Sequence, residues 1–463
     1  MAAVHKKFNI IVKTDCNFGI SKNGVIPWLN DPVENDTQYF KKITTEKSTI
    51  LIMGKNTYGS LPQTFNKMNR KIVVVSSTIT SANIILEIDF VCSTLNDALK
   101  WCNSEDEDVI FVCGGSMLYS EAFYHPLCGR IYYKKSNNHY ECDNFFRDFE
   151  FINKYYTIYK EMKRINTVVW VEELYYERKY DEEKYLFLMK RILDSPIRSN
   201  RTGVNTHSLF AEQIRYSLDG MVLPLITSKK MSFNLIYSEL LWFIRGDTNI
   251  DFLKQHNNHI WDGNTSREFL DSQSLSHFKE GELGAGYGWN WRNFGGELGE
   301  SVKSGIDQLK LVINSIKNEP FSRRHVITAW NPGQLSQVAL PPCHLMMMFY
   351  VSGKYELSCH VIMRSNDMFL GHPFNIASYG LLTHMIAYLC GMKAKELVIT
   401  MNDCHIYESH RAKVEEQLNR TCYGFPSINF KRDDIESIDD FGMDDIEVVN
   451  YYCEKPLVAK MVV

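Results

Sequence analysis

The chain is 463 residues long, 44% hydrophobic and 23% charged, with a formal net charge of -4. That length is too great for one ordinary core and predicts two domains, while the charge gives no global attraction to a nucleic-acid polymer and leaves anion recognition to local arginines. No apolar run approaches the length of a bilayer span, and the opening MAAVHKKFNIIVK has too few consecutive apolar residues for a signal-peptide core, so a cytoplasmic protein with no membrane partner is expected.

The first 175 or so residues alternate β-rich runs (FNIIVK, STILIMG, KIVVVSS, DVIFVCGG) with helical or looped stretches, which predicts an α/β domain with a mixed central sheet and flanking helices. Asp36 opens the helical DTQYFKKIT, where an aspartate is ordinarily a cap. Gly114 and Gly115 follow the strand VIFV and allow a diphosphate to approach the backbone closely. VEELYYERKYDEEKY then reads as a last strand running into ERKYDEEK, a charged stretch without an apolar face. It is the expected seam: a first domain over 1–177, a short linker over 178–183 and an α+β domain over 184–463.

Beyond the seam, YLFLMKRILD and FNLIYSELLWFIRG carry helical spacing, and Glu239 on the second of these apolar stretches is a candidate for a raised pKa. Arg201 lies in a Gly-containing loop and Arg323-Arg324 precede the strand-like HVITAW, so each is able to aim a guanidinium fork at a shared oxyanion such as phosphate. Pro341 and Pro342 remove two amide donors and stiffen the entry to Cys343, behind which HLMMMFYVSGKYELSCHVIMRS reads as a hairpin about SGK. A thiol held on a stiff tip, with Arg364 some twenty residues on, suits a nucleophile activated by positive charge. The 12 cysteines lack CxxC pairs or regular spacing, which predicts free thiols, no disulfide framework and no metal site. DDIESIDDFGMDD near the end reads as a solvated loop.

From about Tyr185 to Val463 the chain resembles thymidylate synthase, through NRTGVNT, SELLWFIRGDTNI, IWDGN, LGAGYGWNWR, SRRHVITAWNP, ALPPCH, RSNDMFLGHPFNIASY and DCHIY in that order. The resemblance implies methylation of dUMP to dTMP with 5,10-methylenetetrahydrofolate as cosubstrate. It makes Cys343 the thiolate that adds to C6 of the uracil, Asn375 the group that orients the uracil amide edge, and Glu239 the proton-handling carboxylate. For dUMP it implies phosphate contacts from Arg201, Arg364 and Ser365, ribose contacts from His405 and Tyr407, and Asp367 near the pyrimidine and folate rings. Arg323 and Arg324 are the pair that would cross a homodimer interface to the partner's nucleotide. Trp261, Asn264 and Tyr287 face folate or the reaction centre, Lys229 the folate glutamate tail, and Val463 the apolar end whose closure shields the site. Three departures stand out: Met363 where glutamine is usual, His372 where valine is usual, and CEKPLVAKMVV in place of a histidine-proline pair.

Phe8 to Arg178 resembles dihydrofolate reductase, through FGISKNGVIPW, DTQYFKKIT, ILIMGKNTYGSLP, NRKIVVVSS and FVCGGSMLY, and chains joining the two domains in this order form a bifunctional family. The resemblance implies NADPH-dependent reduction of dihydrofolate, with Asp36 the buried carboxylate on the pterin, Phe40 a wall of its pocket and Arg70 the clamp on the folate α-carboxylate. NADPH would be held by Gly54, Lys55, Thr57, Ser76, Ser77, Gly114, Gly115 and Ser116. Lys13 and Lys134 break the pattern, which has alanine and threonine there. Either their ammonium groups snorkel out of the pocket, or one pairs with Asp36 and competes with the pterin. They motivate a second reading, a synthase whose reductase-like domain is a scaffold or binding module. A third, an RNA-binding protein, lacks a basic aromatic platform.

Overall fold

Runs rich in Val and Ile with no polar alternation belong in strands covered on both faces, and the computed structural model places them there: Ile10, Ile50, Leu51, Ile52, Ile72, Val73 and Val74 are wholly buried. The structure describes all residues except 1–4, 30, 32–35, 63–64, 79–85, 148–151, 153–155, 166–169, 201, 300–303 and 463, and for 159–165, 170–173 and 175–177 the backbone alone. Two compact units divide the chain, Met1–Tyr180 and Asp181–Val463.

The first unit contains β1 (Phe8–Thr14), β2 (Gly19–Ser21), β3 (Thr49–Gly54), β4 (Arg70–Val75), β5 (Phe90–Cys92), β6 (Val109–Val112), β7 (Cys128–Ser136), β8 (Asn144–Phe145), β9 (Tyr156–Ile165) and β10 (Trp170–Arg178). Eight of them form one sheet in the order β5-β4-β3-β6-β1-β7-β10-β9, parallel from β5 to β7 and antiparallel through β10 and β9, so the expected mixed sheet is present. Helices Lys55–Gly59 and Ser116–Tyr124 start just beyond the C-terminal ends of β3 and β6, the end of a parallel sheet where ligands bind.

The second unit holds β11 (Ile197–Arg198), β12 (Thr206–Ser217), β13 (Val326–Thr328), β14 (His344–Val351), β15 (Glu356–Asp367) and β16 (Lys393–Tyr407) in a six-stranded sheet ordered β11-β12-β16-β15-β14-β13. β14 and β15 are the expected hairpin, closed by a Ser352–Tyr355 turn in which Tyr355 takes a positive φ and donates to the Ser352 carbonyl at 2.9 Å. The long helix Gly371–Leu389 packs on β15 and β16. Helix Phe233–Arg245 ends on Gly246 in the left-handed conformation, and from Ile236 to Ile244 every residue is buried, Glu239 included.

The charged stretch 178–183 is taken up by the ends of two elements. Arg178 closes β10, and Asp181–Glu183 form the first turn of helix Asp181–Leu193, where carboxylates favour the N-terminus. Asp181 accepts the Ser217 amide at 2.8 Å, and Glu182 is fully buried. The acidic stretch near the C-terminus is likewise more than a solvated loop: Ile435, Ile438 and Phe441 are buried, and Asp439 pairs with Arg292 at 2.6 Å. Among the described residues, no helix is long and apolar enough to cross a membrane and no cluster of residues offers a metal site. All 12 cysteines are free.

Candidate active sites

In the first unit a cavity of about 700 Å³ opens at the C-terminal ends of β1, β3 and β6. Asp36 and Phe40 line one part of it. Asp36 stands at the N-cap of helix Thr37–Thr45, yet its side chain makes no capping hydrogen bond, which separates it from the ordinary helix-start aspartate. The other part is bordered by Gly54, Lys55, Thr57, Ser76, Ser77 and the Gly114-Gly115-Ser116 turn, all eight residues expected there. Gly54 N–H donates to the Gly114 carbonyl at 2.7 Å, and Gly114 has φ +114°, a conformation that suits glycine, with the Tyr119 ring 3.2 Å from any added Cβ. Small residues, hydroxyls and the start of helix Ser116–Tyr124 make a surface that fits a dinucleotide's phosphates.

Arg70 departs from its expected place. It is buried and spent on the chain around it, donating to Thr44 at 2.9 Å, to the Lys67 carbonyl at 3.2 Å and to the Asn66 carbonyl. Its guanidinium lies 4.3 Å from the ring of Phe65, which lines the cavity, so in this conformation Arg70 backs the wall. Burial lowers its pKa from the arginine norm.

Lys13 and Lys134 are direct partners in the β1–β7 register. Lys13 lines the cavity at 7% exposure with its ammonium 5.0 Å from the ring of Trp28, so it does not snorkel out to solvent. The Lys134 ammonium lies 5.2 Å from the ring of Tyr39, another wall residue. Cation–π contact with each ring gives both charges a structural home. Sequence reading missed Trp28, Tyr39 and Tyr119 as wall residues. The signal was there for Tyr119, whose place on the Gly114-Gly115 helix carries it to the cavity, where its hydroxyl donates to the Ile11 carbonyl at 2.8 Å.

In the second unit, Cys343 forms the bend before β14, and Arg364 explains why that bend is fixed. Its Nε donates to the Pro342 carbonyl at 2.9 Å, its Nη2 to the Pro341 carbonyl at 2.7 Å, and Nη2 also reaches Cys343 Sγ at 3.6 Å. The Cys343 amide donates to the Tyr287 hydroxyl at 2.7 Å, and the Arg364 amide to the Cys343 carbonyl at 2.9 Å. A thiol thus sits beside a guanidinium on a loop held from three sides.

Asn375, on the first turns of helix Gly371–Leu389, donates from Nδ2 to His344 Nε2 at 2.8 Å. The imidazole proton therefore lies on Nδ1 and points to the Tyr379 hydroxyl at 3.0 Å. Burial, with Arg364 nearby, pushes His344 down to about 3, so the ring is neutral at ordinary pH. His344 and Tyr379 were not singled out from sequence, although His344 is the next residue after Cys343.

Glu239 is pushed up to about 7 by burial, against the opposing effect of the Trp261 indole N–H, which donates to it at 2.7 Å. Because the unfolded carboxyl ionises near pH ~4.3, the native state's hold on this proton contributes stability that is fully present below that pH and lost as pH rises through about 7. Ser365 and Asp367 on β15 pair in register with Asp403 and His405 on β16, and the rings of His405 and Tyr407 meet at 5.1 Å. Asp367 also accepts the amides of Phe369 and Leu370. Asn264 and Trp261 are buried nearby in sequence. Lys229 is neither exposed nor extended: its ammonium donates to the Phe369 carbonyl, 3.9 Å from that residue's ring, and burial lowers it to about 8. Arg323 and Arg324 are exposed beside the edge strand β13. Arg201 and Val463 lie outside the described residues. Two of the three departures are accommodated: Met363 sulfur contacts Asn366 Nδ2 at 2.7 Å, and buried His372 bonds the Tyr216 hydroxyl at 2.8 Å, stacked on Tyr185.

A cavity at the ends of parallel strands, lined by small residues and hydroxyls, and a thiol clamped beside a guanidinium in a unit that also buries a raised-pKa carboxyl point to two enzyme centres in one chain. Comparison with known proteins agrees. The thymidylate synthase family matches residues 183–463 and the dihydrofolate reductase family residues 7–174. Bifunctional dihydrofolate reductase-thymidylate synthase of Leishmania major is 35% identical over 99% of this chain and 95% of its own, and that of Paramecium tetraurelia 34% identical over 99% of each. A probable thymidylate synthase of Schizosaccharomyces pombe is 48% identical over 61% of this chain and 48% of its own. The chain belongs to the bifunctional dihydrofolate reductase-thymidylate synthase family. It is an enzyme of both kinds, and the scaffold-only and RNA-binding readings fall away.

The burial of Glu239 predicts a specific pH effect. Trp261→Phe removes a hydrogen bond to the ionised carboxylate, worth about 1.5 kcal/mol, so the limb of the dTMP-formation pH profile near 7 should move up by roughly one unit. An unmoved limb would assign it to another group. For the lysines, even a like charge about 8 Å from a protonated pterin opposes it by roughly 2 kcal/mol at an effective dielectric near 20. Lys13→Ala with Lys134→Thr should therefore raise the catalytic efficiency for dihydrofolate about tenfold and leave dTMP formation unchanged, read as NADPH oxidation at saturating cofactor. No gain would mean that the two charges do not act on the pterin.

Proposed function

We propose that reduction of dihydrofolate with NADPH belongs to residues 1–177 and conversion of dUMP to dTMP with 5,10-methylenetetrahydrofolate to residues 184–463, in a cytoplasmic homodimer joined through the synthase domain. The observation that carries the synthase assignment is the clamp of Arg364 on the Pro341 and Pro342 carbonyls, with its third contact on Cys343 Sγ at 3.6 Å. It places a cation against the sulfur that must act as a thiolate.

Cys343 adds to C6 of the uracil, giving C5 the enolate character it lacks. Asn375, held by His344, orients the uracil amide edge, and Glu239 holds or releases the proton this activation requires, aided by a pKa near 7. Arg201, Arg364, Ser365, His405 and Tyr407 bind the nucleotide, with Asp367 between it and the folate. Trp261, Asn264 and Tyr287 wall the folate side, and Lys229 serves the glutamate tail only if it leaves the Phe369 carbonyl. Methylenetetrahydrofolate supplies the carbon unit and the hydride that makes it a methyl group.

On the reductase side NADPH supplies hydride. Gly54, Lys55, Thr57, Ser76, Ser77, Gly114, Gly115 and Ser116 would hold it, Asp36 and Phe40 would hold the pterin, and Arg70 would turn from the cavity wall to the α-carboxylate. Exposure of Arg323 and Arg324, together with Met346, Met348, Ile362 and exposed Tyr350 on the sheet face away from helix Gly371–Leu389, supports a partner subunit covering that face.

Cys343→Ala should abolish tritium release from C5-labelled dUMP while dUMP still binds, since the proposed phosphate and ribose contacts do not use the sulfur; sustained release would remove the assignment. For the dimer, mixing an Arg323→Ala/Arg324→Ala parent with a Cys343→Ala parent should restore activity on subunit exchange, because one hybrid site carries both lesions and the other none. A fully active monomer in sedimentation would exclude the shared site.

A further inference from the structure

We propose that Glu182, the second residue of the synthase unit, is a positioning residue for the folate end of the synthase site, fixing Thr227–Ser228–Lys229 and, through them, the C-terminal segment. The inference rests on the synthase assignment made above. Glu182 is fully buried, which a carboxylate tolerates only when its oxygens are satisfied. Its Oε2 accepts the Thr227 amide at 2.8 Å and the Thr227 hydroxyl, and its Oε1 accepts the Ser228 amide at 2.8 Å. Two consecutive amides and a hydroxyl thus converge on one side chain, which fixes the backbone of both residues.

What hangs from that turn gives the contact its meaning. The Thr227 carbonyl accepts the Glu454 amide at 2.8 Å, and Tyr451 joins the same edge by donating to the Ile226 carbonyl at 2.7 Å and accepting the Met231 amide at 2.8 Å. Arg420 Nη1 bridges the Ser228 carbonyl at 3.3 Å and the Lys455 carbonyl at 2.5 Å. The residues from Tyr451 to Lys455 are therefore tied to 226–231, the segment Glu182 holds. On the other side Lys229 reaches the Phe369 carbonyl, and Phe369 N–H donates to Asp367 at 2.8 Å. One buried carboxylate supports the lysine expected on the folate side and, more remotely, the Asp367 loop between folate and pyrimidine, and it touches none of the residues expected to bind the phosphate or ribose of dUMP.

Glu182→Gln keeps the volume and replaces one acceptor oxygen by an NH2 that must face an amide donor, so the turn has to shift. In the full-length protein the KM for methylenetetrahydrofolate should rise at least tenfold while dUMP affinity and NADPH-dependent reductase activity stay within twofold. Thr227→Ala, which removes one of the three donors, should raise the same KM about threefold and serves as the deciding variant if Glu182→Gln does not fold. Folded variants with unchanged folate KM, or with dUMP affinity falling as far as the folate KM rises, would overturn the proposal. Wild type is assayed alongside: no dTMP formation there would remove the synthase assignment itself, whereas an active wild type with unchanged variants removes only the role of Glu182.

Discussion

The synthase centre depends on one side chain giving up its donors to backbone. Two prolines in succession leave a loop with carbonyl acceptors and no amides of its own, and Arg364 supplies the missing donors from the neighbouring strand of the hairpin. The same guanidinium that makes the loop rigid then touches the sulfur. Stiffness and charge come from a single residue, so the position of the thiol and the field it experiences do not vary independently. The hairpin register sets both, because it brings the start of β14 beside the end of β15.

Burial acts on two titratable groups of the synthase unit in opposite directions. It pushes Glu239 up, where a carboxyl becomes able to exchange a proton near neutral pH, and it pushes His344 down, where an imidazole stops exchanging one. The apolar helix Phe233–Arg245 does the first by surrounding a carboxyl with core residues. One dry environment thereby assigns a mobile proton to one residue and a fixed proton to the other.

Much of this was legible in the sequence, and the reasons differ by element. Parallel strands announced themselves as unbroken apolar runs, and the β14–β15 hairpin by its turn residues, because local pattern and final environment agree there. Glu182 was illegible: in a run of charges it reads as solvated, and only tertiary packing of helix Asp181–Leu193 against Thr227 and Ser228 reveals a buried acceptor. Lys229 and Arg70 were placed by motif and found turned inward, since a motif fixes a backbone position and leaves a long side chain several places to go. The pairing of Lys13 with Lys134 required the β1–β7 register, which no single segment encodes.

The proton that burial pins on His344 reaches beyond its own ring. An amide free to rotate offers a donor or an acceptor at will, whereas Asn375 must keep its nitrogen toward Nε2. Uracil and cytosine exchange donor for acceptor along the edge that Asn375 is proposed to read, and a mismatched edge leaves two like polar groups facing one another without water. If Asn375 reads that edge as proposed, the neutral imidazole behind it would act as a filter on which pyrimidine receives the methyl group.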